Sequence, residues 1–411
     1  MDIISLVNAN IDYFFLVLFG LVLTIFLLSN KKKVEVQKVV YYFIYMIMYR
    51  TKWGLKKMDS IAAKLKKHKN ALSYTSITIG FIGMALMTFL FLLSVYRYFF
   101  VKKEAVVAPL LPGATIPGLP HLSFIHWILA IFILATVHEM CHGIFARMHG
   151  IKIKSSGFAI FGIILPIIPA AFVEQDEKDM EKKSKKAQLA VLSAGTFANF
   201  ITAGVFFLIL ALLVSPLTAN LMQEQGVVIA GVNEGGPAEL AGIKAGEIVT
   251  EINGFEVTKL DDLTNVLNLT EPYEKITLVT ENGTYYLTLM EHPDGKDYGY
   301  MGVSLGVKAD YNPELVEKYG LFQLKTLVWF SILIYWIFLT NLMVGLVNLL
   351  PMGIVDGGLM FYIALNHFIK DKKKAKIIFS LVSVVLLLLL LFFMIPALLG
   401  YFAAPFAGLF K

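Results

Sequence analysis

Residues 134–146 read LATVHEMCHGIFA, which places two histidines and a glutamate inside an otherwise apolar run. His138 and His142 are four residues apart, so both imidazoles project from one face of a helix. Ionisable groups in a membrane span are costly and mark function by default. Two neutral imidazoles at this spacing can bind one zinc ion, and Glu139 can take a proton from a water that the metal activates. The stretch therefore predicts the zincin arrangement His-Glu-x-x-His.

The 411-residue chain has the composition of a polytopic membrane protein. Hydrophobic residues make up 57% of it, which exceeds their usual share in soluble proteins. Its single cysteine, Cys141, excludes an intrachain disulfide. Apolar blocks long enough to span a bilayer as helices lie at 11–30, 72–98, 124–148, 188–215, 325–349 and 377–403.

Two further apolar stretches are not expected to cross the membrane as helices. Residues 39–49 are short and lie between Lys38 and Arg50, which favours an interfacial helix. Residues 156–173 contain two glycines and two prolines, which favour a re-entrant, strand-like loop. The predicted fold class is a polytopic α-helical membrane protein with about six transmembrane helices, this loop, and an inserted, mainly-β domain.

The lysines predict how the chain crosses the bilayer. Lysine clusters at 31–70, 147–186 and 370–376 fall on one side of the six spans, and that side is cytoplasmic by the positive-inside rule. The chain is therefore expected to be a multi-pass membrane protein, with segment 216–324 outside and the histidines toward the cytoplasmic side. The lack of an organelle-targeting signal favours the plasma membrane. Since the lysines flank apolar spans, they favour contact with lipid and exclude nucleic acid as a partner.

Segment 216–324 has the pattern of a compact β domain. The sequence GGPAELAGIKAGEIVTEING (235–254) resembles the core of a PDZ domain, which binds a peptide or a chain end. The alternation in 275–289 predicts a hairpin around Asn282 and Gly283. The chain divides accordingly into four segments. Residues 1–70 form the first span with a basic cytoplasmic loop, and 71–215 form the first part of the transmembrane core. Residues 216–324 form the PDZ-like domain, and 325–411 form the second part of the core with the last span.

A catalytic zinc site needs a third protein ligand and keeps one position for water. The best candidate is Asp356 in NLLPMGIVDGG (348–358), which follows the fifth span on the side of the two histidines. An ordinary helix-capping turn is the alternative reading of its Asp-Gly-Gly. Pro351 and Gly353 indicate a broken helix, and irregular backbone at membrane depth belongs where it lines a cavity.

Taken together, HEMCHGIFA, AGTFAN (194–199), the PDZ-like insert and NLLP with DGG resemble the site-2 protease family of intramembrane zinc metalloproteases. The resemblance covers about 72–370. It implies Zn2+ held by two histidines and an aspartate, with the glutamate of the first motif as general base. In this chain those residues are His138, His142, Asp356 and Glu139.

The same resemblance implies roles for polar residues outside the ligand set. The family's Gly-x-x-x-Asn element corresponds to Gly195 and Asn199, and its Asn and Pro ahead of Asp-Gly to Asn348 and Pro351. Asn199, Asn348 and Pro351 are therefore candidates for binding the substrate or the oxyanion. For Asn199, helix–helix packing beside Gly195 is an equal alternative. The chain departs from the family at Val355, where leucine is usual, and at Gly353, where a second proline is usual.

The predicted function is a zinc-dependent metalloendopeptidase that cleaves transmembrane protein substrates within or near the bilayer, as in regulated intramembrane proteolysis. One alternative is a membrane-anchored zincin that acts on soluble or unfolded proteins. The other is a non-enzymatic membrane scaffold whose PDZ-like domain recruits partners. A structural zinc site would normally be closed by four protein ligands, and the sequence offers three.

Overall fold

The computed structural model describes residues 11–30, 34–40, 44–52, 54–101, 110–113, 119–163 and 165–403. It divides into two units, of which the first comprises Met1–Ala211 with Phe330–Lys411 and the second comprises Leu212–Trp329. The elements up to the second unit are α1 Ile11–Ser29, β1 Val34–Val40, β2 Ile44–Thr51, α2 Leu55–Leu65, α3 Lys69–Phe100, α4 Phe124–Met148, β3 Ile153–Ile163, β4 Leu165–Gln175, α5 Glu177–Glu181 and α6 Lys185–Ile209. Helix α6 continues as a π-helical stretch, Leu210–Val214, and a short helix, Ser215–Thr218.

The remaining elements complete the chain. They are β5 Met222–Val232, α7 Pro237–Leu240, β6 Ile248–Ile252, β7 Phe255–Glu256, α8 Leu260–Leu267, β8 Lys275–Thr280, β9 Gly283–Thr288, β10 Val303–Tyr311, α9 Pro313–Tyr319, α10 Leu321–Val347, α11 Asp356–Phe368 and α12 Lys372–Ala403.

Within the described residues, six helical segments are long and apolar enough to cross a bilayer, in the places that the hydropathy predicted. They are Ile11–Ser29, Leu55–Phe100, Phe124–Met148, Lys185–Thr218, Leu321–Val347 and Lys372–Tyr401. Helical segments suit this setting because all their backbone hydrogen bonds are made within the segment.

An antiparallel sheet in the order β1-β2-β3-β4 accompanies these helices. The predicted loop at 156–173 forms β3 and β4. The interfacial helix predicted at 39–49 is wrong where the structure describes it, because Ile44–Thr51 is strand β2 and pairs with β3 over its whole length. Isoleucine and tyrosine in this run favour strands, and the neighbouring β3 satisfies the backbone groups that lipid would leave unpaired. Residues 41–43 lie outside the described part of the chain.

A buried apolar cluster holds α2, α4 and α6 together on the side of the first unit that carries the His-Glu-x-x-His helix. Met58 of α2, Phe145 of α4 and Val191 of α6 belong to this cluster and are at most 2% exposed. The sulfur of Met58 packs directly against the backbone of Gly143, one residue after His142. This packing fixes the position of α4 against α6, the two helices that build the site.

In the second unit, a sheet in the order β10-β5-β6-β8-β9 surrounds a separate core, and β7 pairs with β6. The predicted hairpin is formed by β8 and β9, with Thr280 opposite Gly283, so its turn lies one residue earlier than predicted. The fully buried members of the core come from strands and helix alike: Val227, Ile229, Ala238, Ile252, Leu263, Leu278 and Leu289.

We expect Leu278→Ala to destabilise the second unit by about 2–5 kcal/mol, because it leaves a cavity at a side chain that is 0% exposed. The matched control is Leu269→Ala, since Leu269 is 86% exposed and lies in the same unit. Limited proteolysis of the full chain across a temperature series measures the difference. Equal resistance of the two variants would contradict this assignment of the core.

Candidate metal centre

Helix α4 places two imidazoles on one face with their ring nitrogens close together. The helix begins after Ser123, whose hydroxyl accepts a hydrogen bond from the backbone N–H of His126 at 3.4 Å. His138 and His142 lie one turn apart, and their Nε2 atoms are separated by 3.1 Å. Both residues are buried. The two imidazoles are therefore close enough to share one cation.

Asp356 meets this pair from a distant part of the chain. It is the first residue of α11, and its Oδ2 lies 3.1 Å from His138 Nε2 and 3.2 Å from His142 Nε2. The three atoms form a nearly equilateral triangle. Three ligands at ~2.0–2.1 Å from one zinc ion in tetrahedral geometry would be about 3.3–3.4 Å apart. The donor set therefore fits zinc in number, chemistry and spacing.

Helix α6 contacts the second nitrogen of each imidazole. His142 Nδ1 lies 2.7 Å from the carbonyl oxygen of Val191. Because a carbonyl only accepts, Nδ1 donates and the Nε2 of the neutral ring offers its lone pair. His138 Nδ1 lies 3.0 Å from the side-chain amide of Asn199, which is fully buried. The two rings are thus held from behind while their Nε2 atoms face Asp356.

Gly195 provides the space in which the two imidazoles sit. It lies midway between Val191 and Asn199, at a spacing of four positions from each, so all three share one face of α6. A Cβ at Gly195 would be 2.4 Å from His142 Nε2 and 2.5 Å from His138 Nε2. The Gly-x-x-x-Asn element therefore combines a gap for the rings with an amide one turn later.

Glu139 is held beside the imidazoles by a main-chain hydrogen bond. Its Oε2 accepts from the backbone N–H of Val173 in β4 at 2.9 Å, and its Oε1 makes no hydrogen bond with the described residues. A cavity of about 20 Å³ borders Glu139, with Thr136, Gly157 and Ala171 in its wall. One water needs roughly 10–15 Å³, so the carboxylate has room for about one water beside it.

An irregular segment after α10 turns the chain back before Asp356. The backbone N–H of Gly357 donates to the carbonyl oxygen of Asn348 at 2.8 Å. A Cβ at Gly358 would lie 1.9 Å from the carbonyl oxygen of Met352, a distance that no side chain can adopt. The Asp-Gly-Gly sequence is therefore required for backbone to pack on backbone, and this packing brings the carboxylate to the histidines.

The structure brings most of the predicted site residues together, namely His138, Glu139, His142, Asp356 and Asn199. Pro351 is buried in the segment before the aspartate, and Asn348 is partly buried there. The side chain of Asn348 makes no hydrogen bond with any described residue, and a role for it or for Pro351 in binding substrate stays a prediction.

Two contacts of the site could not have been found from side-chain patterns. The carbonyl group of Val191 and the N–H of Val173 are main-chain groups, and every residue carries equivalent ones. The spacing of Val191 four residues before Gly195 is the only available signal, and it has meaning only once α6 is known to pack against α4.

The residues of this site lie in a region that matches a known peptidase family. Residues 126–390 match the model described as Peptidase family M50, and this range contains both histidines, Glu139 and Asp356. The chain belongs to peptidase family M50. This match agrees with the resemblance to the site-2 protease family. Together, the family match and the six apolar helices indicate a multi-pass membrane protein.

Individual relatives share the same region. An uncharacterized protein of Methanocaldococcus jannaschii is 30% identical over 276 residues, which are 66% of this chain and 64% of the relative. A Clostridium acetobutylicum protein, named as a proposed zinc metalloprotease, is 23% identical over 307 residues, which are 58% of this chain and 86% of that protein. Zinc metalloprotease Rip1 of Mycobacterium tuberculosis is 26% identical over 202 residues, 40% of this chain and 50% of its own. The prediction that the chain is a metalloendopeptidase with Zn2+ as its cofactor agrees with the M50 family match and with the names of these relatives.

We expect Gly195→Ala to weaken zinc binding at least about tenfold, because the added methyl group displaces both imidazoles. Chelator competition on the purified protein measures the affinity. Gly204→Ala is the matched control, since Gly204 lies on the same helix and a Cβ there would meet nothing within 4 Å. The prediction fails if the two variants bind zinc equally well.

Proposed function

We propose that this M50 member is a zinc-dependent intramembrane protease that hydrolyses peptide bonds in transmembrane segments of other proteins, as in regulated intramembrane proteolysis. The observation that carries the proposal is the triangle of His138, His142 and Asp356 beside Glu139, because the two histidines and the glutamate lie on a helix that is long and apolar enough to cross a bilayer. Burying these groups in lipid is unfavourable unless a bound cation offsets the cost.

The residues divide the chemistry of peptide hydrolysis among themselves. The two imidazoles and the Asp356 carboxylate would hold zinc, which polarises the scissile carbonyl and makes a water nucleophilic at neutral pH. Glu139 receives the proton of the attacking water on Oε1, while Val173 holds Oε2, and then passes the proton to the leaving amide nitrogen. The position of the carboxylate supports this role, because one of its oxygens lies within 4.8 Å of a ring nitrogen of each imidazole.

A helical substrate hides its carbonyl groups in its own hydrogen bonds and must be unwound before cleavage. Strand β4 supports this step because it is an end strand of the sheet that the described residues form, and its Val173 N–H already points to Glu139. A substrate segment that pairs with β4 in an extended form would present its backbone to the base. We therefore assign substrate holding to β4, with Asn348 and Pro351 as further candidates.

For Asn199 we propose a positioning role at His138 in place of contact with the substrate. The amide nitrogen faces His138 Nδ1, and the amide oxygen is buried without a partner among the described residues. Zinc binding through Nε2 requires a proton on Nδ1, and therefore an acceptor facing it. Oxygen and nitrogen of an amide are interchangeable in shape, and a flipped amide supplies that acceptor.

We expect Asn199→Leu to weaken zinc binding roughly 10- to 100-fold, since it removes the acceptor while keeping the size of the side chain. Asn199→Asp is the matched variant, because its carboxylate also accepts a hydrogen bond from Nδ1. We expect Asn199→Asp to bind zinc at least as tightly as the wild type. Chelator competition gives both affinities. Wild-type affinity in Asn199→Leu would refute the positioning role.

The two alternative functions lead to different substrates or to none. A zincin that acts on soluble proteins would cleave unfolded chains and spare membrane spans. A scaffold would bind partners through the second unit with no hydrolysis at all. The triangle has three protein donors and a glutamate anchored beside it, which favours a catalytic zinc site over a closed structural one.

We expect Glu139→Gln to lower cleavage of a co-reconstituted single-span substrate by roughly 100- to 10,000-fold while zinc content stays unchanged. The amide keeps the size of the side chain and cannot accept the proton. Glu177→Gln in α5 is the control, and it should cleave like the wild type. Cleavage is followed by mass spectrometry and zinc by elemental analysis. Full activity of Glu139→Gln would exclude the mechanism.

The second unit supports a further part of the proposal, the binding of a peptide or chain end by a PDZ-like domain. Strand β10 is an end strand of its sheet and pairs with β5 on one side only among the described strands. An extended peptide can add to such an edge through main-chain hydrogen bonds. We propose that this unit is extracytoplasmic and that the metal site lies toward the cytoplasmic side of the plasma membrane, as the lysine distribution predicts.

A further inference from the structure

An apolar cavity of about 310 Å³ lies in the first unit between α1, the sheet and α4. Its walls are almost wholly apolar and consist of aliphatic and aromatic groups and small alanines. Leu23 and Phe26 of α1 form one wall, and Ala135 of α4 forms part of the opposite one. An apolar cavity of ~150 Å³ is enough to bind a benzene ring, so this one has room for a large apolar side chain.

The cavity adjoins the small cavity at Glu139 and shares part of its wall. Thr136, Phe158 and Ala171 line both of them. Thr136 lies three residues before Glu139 on α4, so the shared wall is within about one helical turn, ~5.4 Å, of the backbone of the base. Alternate side chains of an extended chain are roughly 6.6 Å apart. Only a residue close to the scissile bond could therefore place its side chain here.

A polar group at the shared wall also lacks a partner. The Oγ1 atom of Thr136 is fully buried and has no hydrogen bond with any described residue. A buried hydroxyl without a partner is unfavourable, and rotation of the threonine side chain would let a peptide backbone at the shared wall supply one. This requirement distinguishes an extended peptide from a lipid tail, which has no polar atoms at that depth.

We propose that this cavity is a specificity subsite that receives a large apolar side chain of the substrate, from a residue next to the scissile bond. The inference rests on the proposed function and adds the substrate preference: bonds flanked by a leucine- or phenylalanine-sized residue are cleaved faster than bonds flanked by alanine.

The test compares variants of Leu23, which lines the cavity from α1 and is not part of the wall of the small cavity at Glu139. Leu23→Trp fills the space and Leu23→Ala enlarges it. Leu21→Trp is the matched control, because Leu21 is on the same helix, 58% exposed, and not part of the wall. Zinc-loaded proteins are reconstituted with single-span substrates that carry Ala, Leu or Phe at each position flanking the cleaved bond. The readout is kcat/KM, with zinc content as the folding control.

For the position that enters the cavity, we expect the Phe-to-Ala ratio of kcat/KM to fall at least about tenfold in Leu23→Trp and to stay unchanged in Leu21→Trp. Leu23→Ala should shift the preference toward Phe. An unchanged Phe-to-Ala ratio in Leu23→Trp, with full cleavage, overturns the subsite and leaves the protease intact. The same conclusion follows if the wild type shows no preference for Leu or Phe over Ala at any position that flanks the cleaved bond. An equal loss on all substrates also overturns it. Failure of the zinc-loaded wild type to cleave any membrane span refutes the proposed function itself.

Discussion

The first unit is organised by the need to bring a carboxylate and two imidazoles together inside an apolar environment. Each group alone would be costly to bury, and the three become stable only at contact distance with one another or with a cation. His138 and His142 meet Asp356 across 3.1–3.2 Å, although the aspartate is more than two hundred residues away in sequence. Three glycines make this contact sterically possible. Gly195 leaves space for the two imidazoles, and Gly357 and Gly358 let the backbone after Asp356 pack against the preceding segment.

A sheet among the apolar helices supplies what the helices cannot. Backbone groups of a helix are used within the helix, so the main-chain N–H that anchors Glu139 has to come from another kind of element. Val173 of β4 provides it, and the same strand ends the sheet where an extended chain can pair. The strand β2, which continues the sheet beyond β3, extends this platform and also forms part of the apolar cavity through Tyr49.

The sequence predicted the parts of the site that depend on local spacing. Two histidines one helical turn apart share a face whatever surrounds them, and long apolar runs form spans whatever their order. The region 39–49 shows where such reasoning ends, since a short run of isoleucine, tyrosine and methionine fits an interfacial helix as well as a strand. The available edge of β3 decided between them. Asn199 shows the same limit, because its residue type allowed a role at the substrate or in helix–helix packing, and the packing of α6 on α4 placed it beside His138.

The amino-acid sequence by itself determined the six apolar helices, the metal-binding face of α4 and the candidate aspartate, because helix periodicity and hydrophobicity are properties of neighbouring residues. Tertiary structure alone decided that Asp356 reaches that face, that main-chain groups of Val191 and Val173 fix the imidazole and the base, and that an apolar cavity opens beside them. These features arise from contacts between segments far apart in the chain, and backbone groups carry no residue-specific signal from which such contacts could be read.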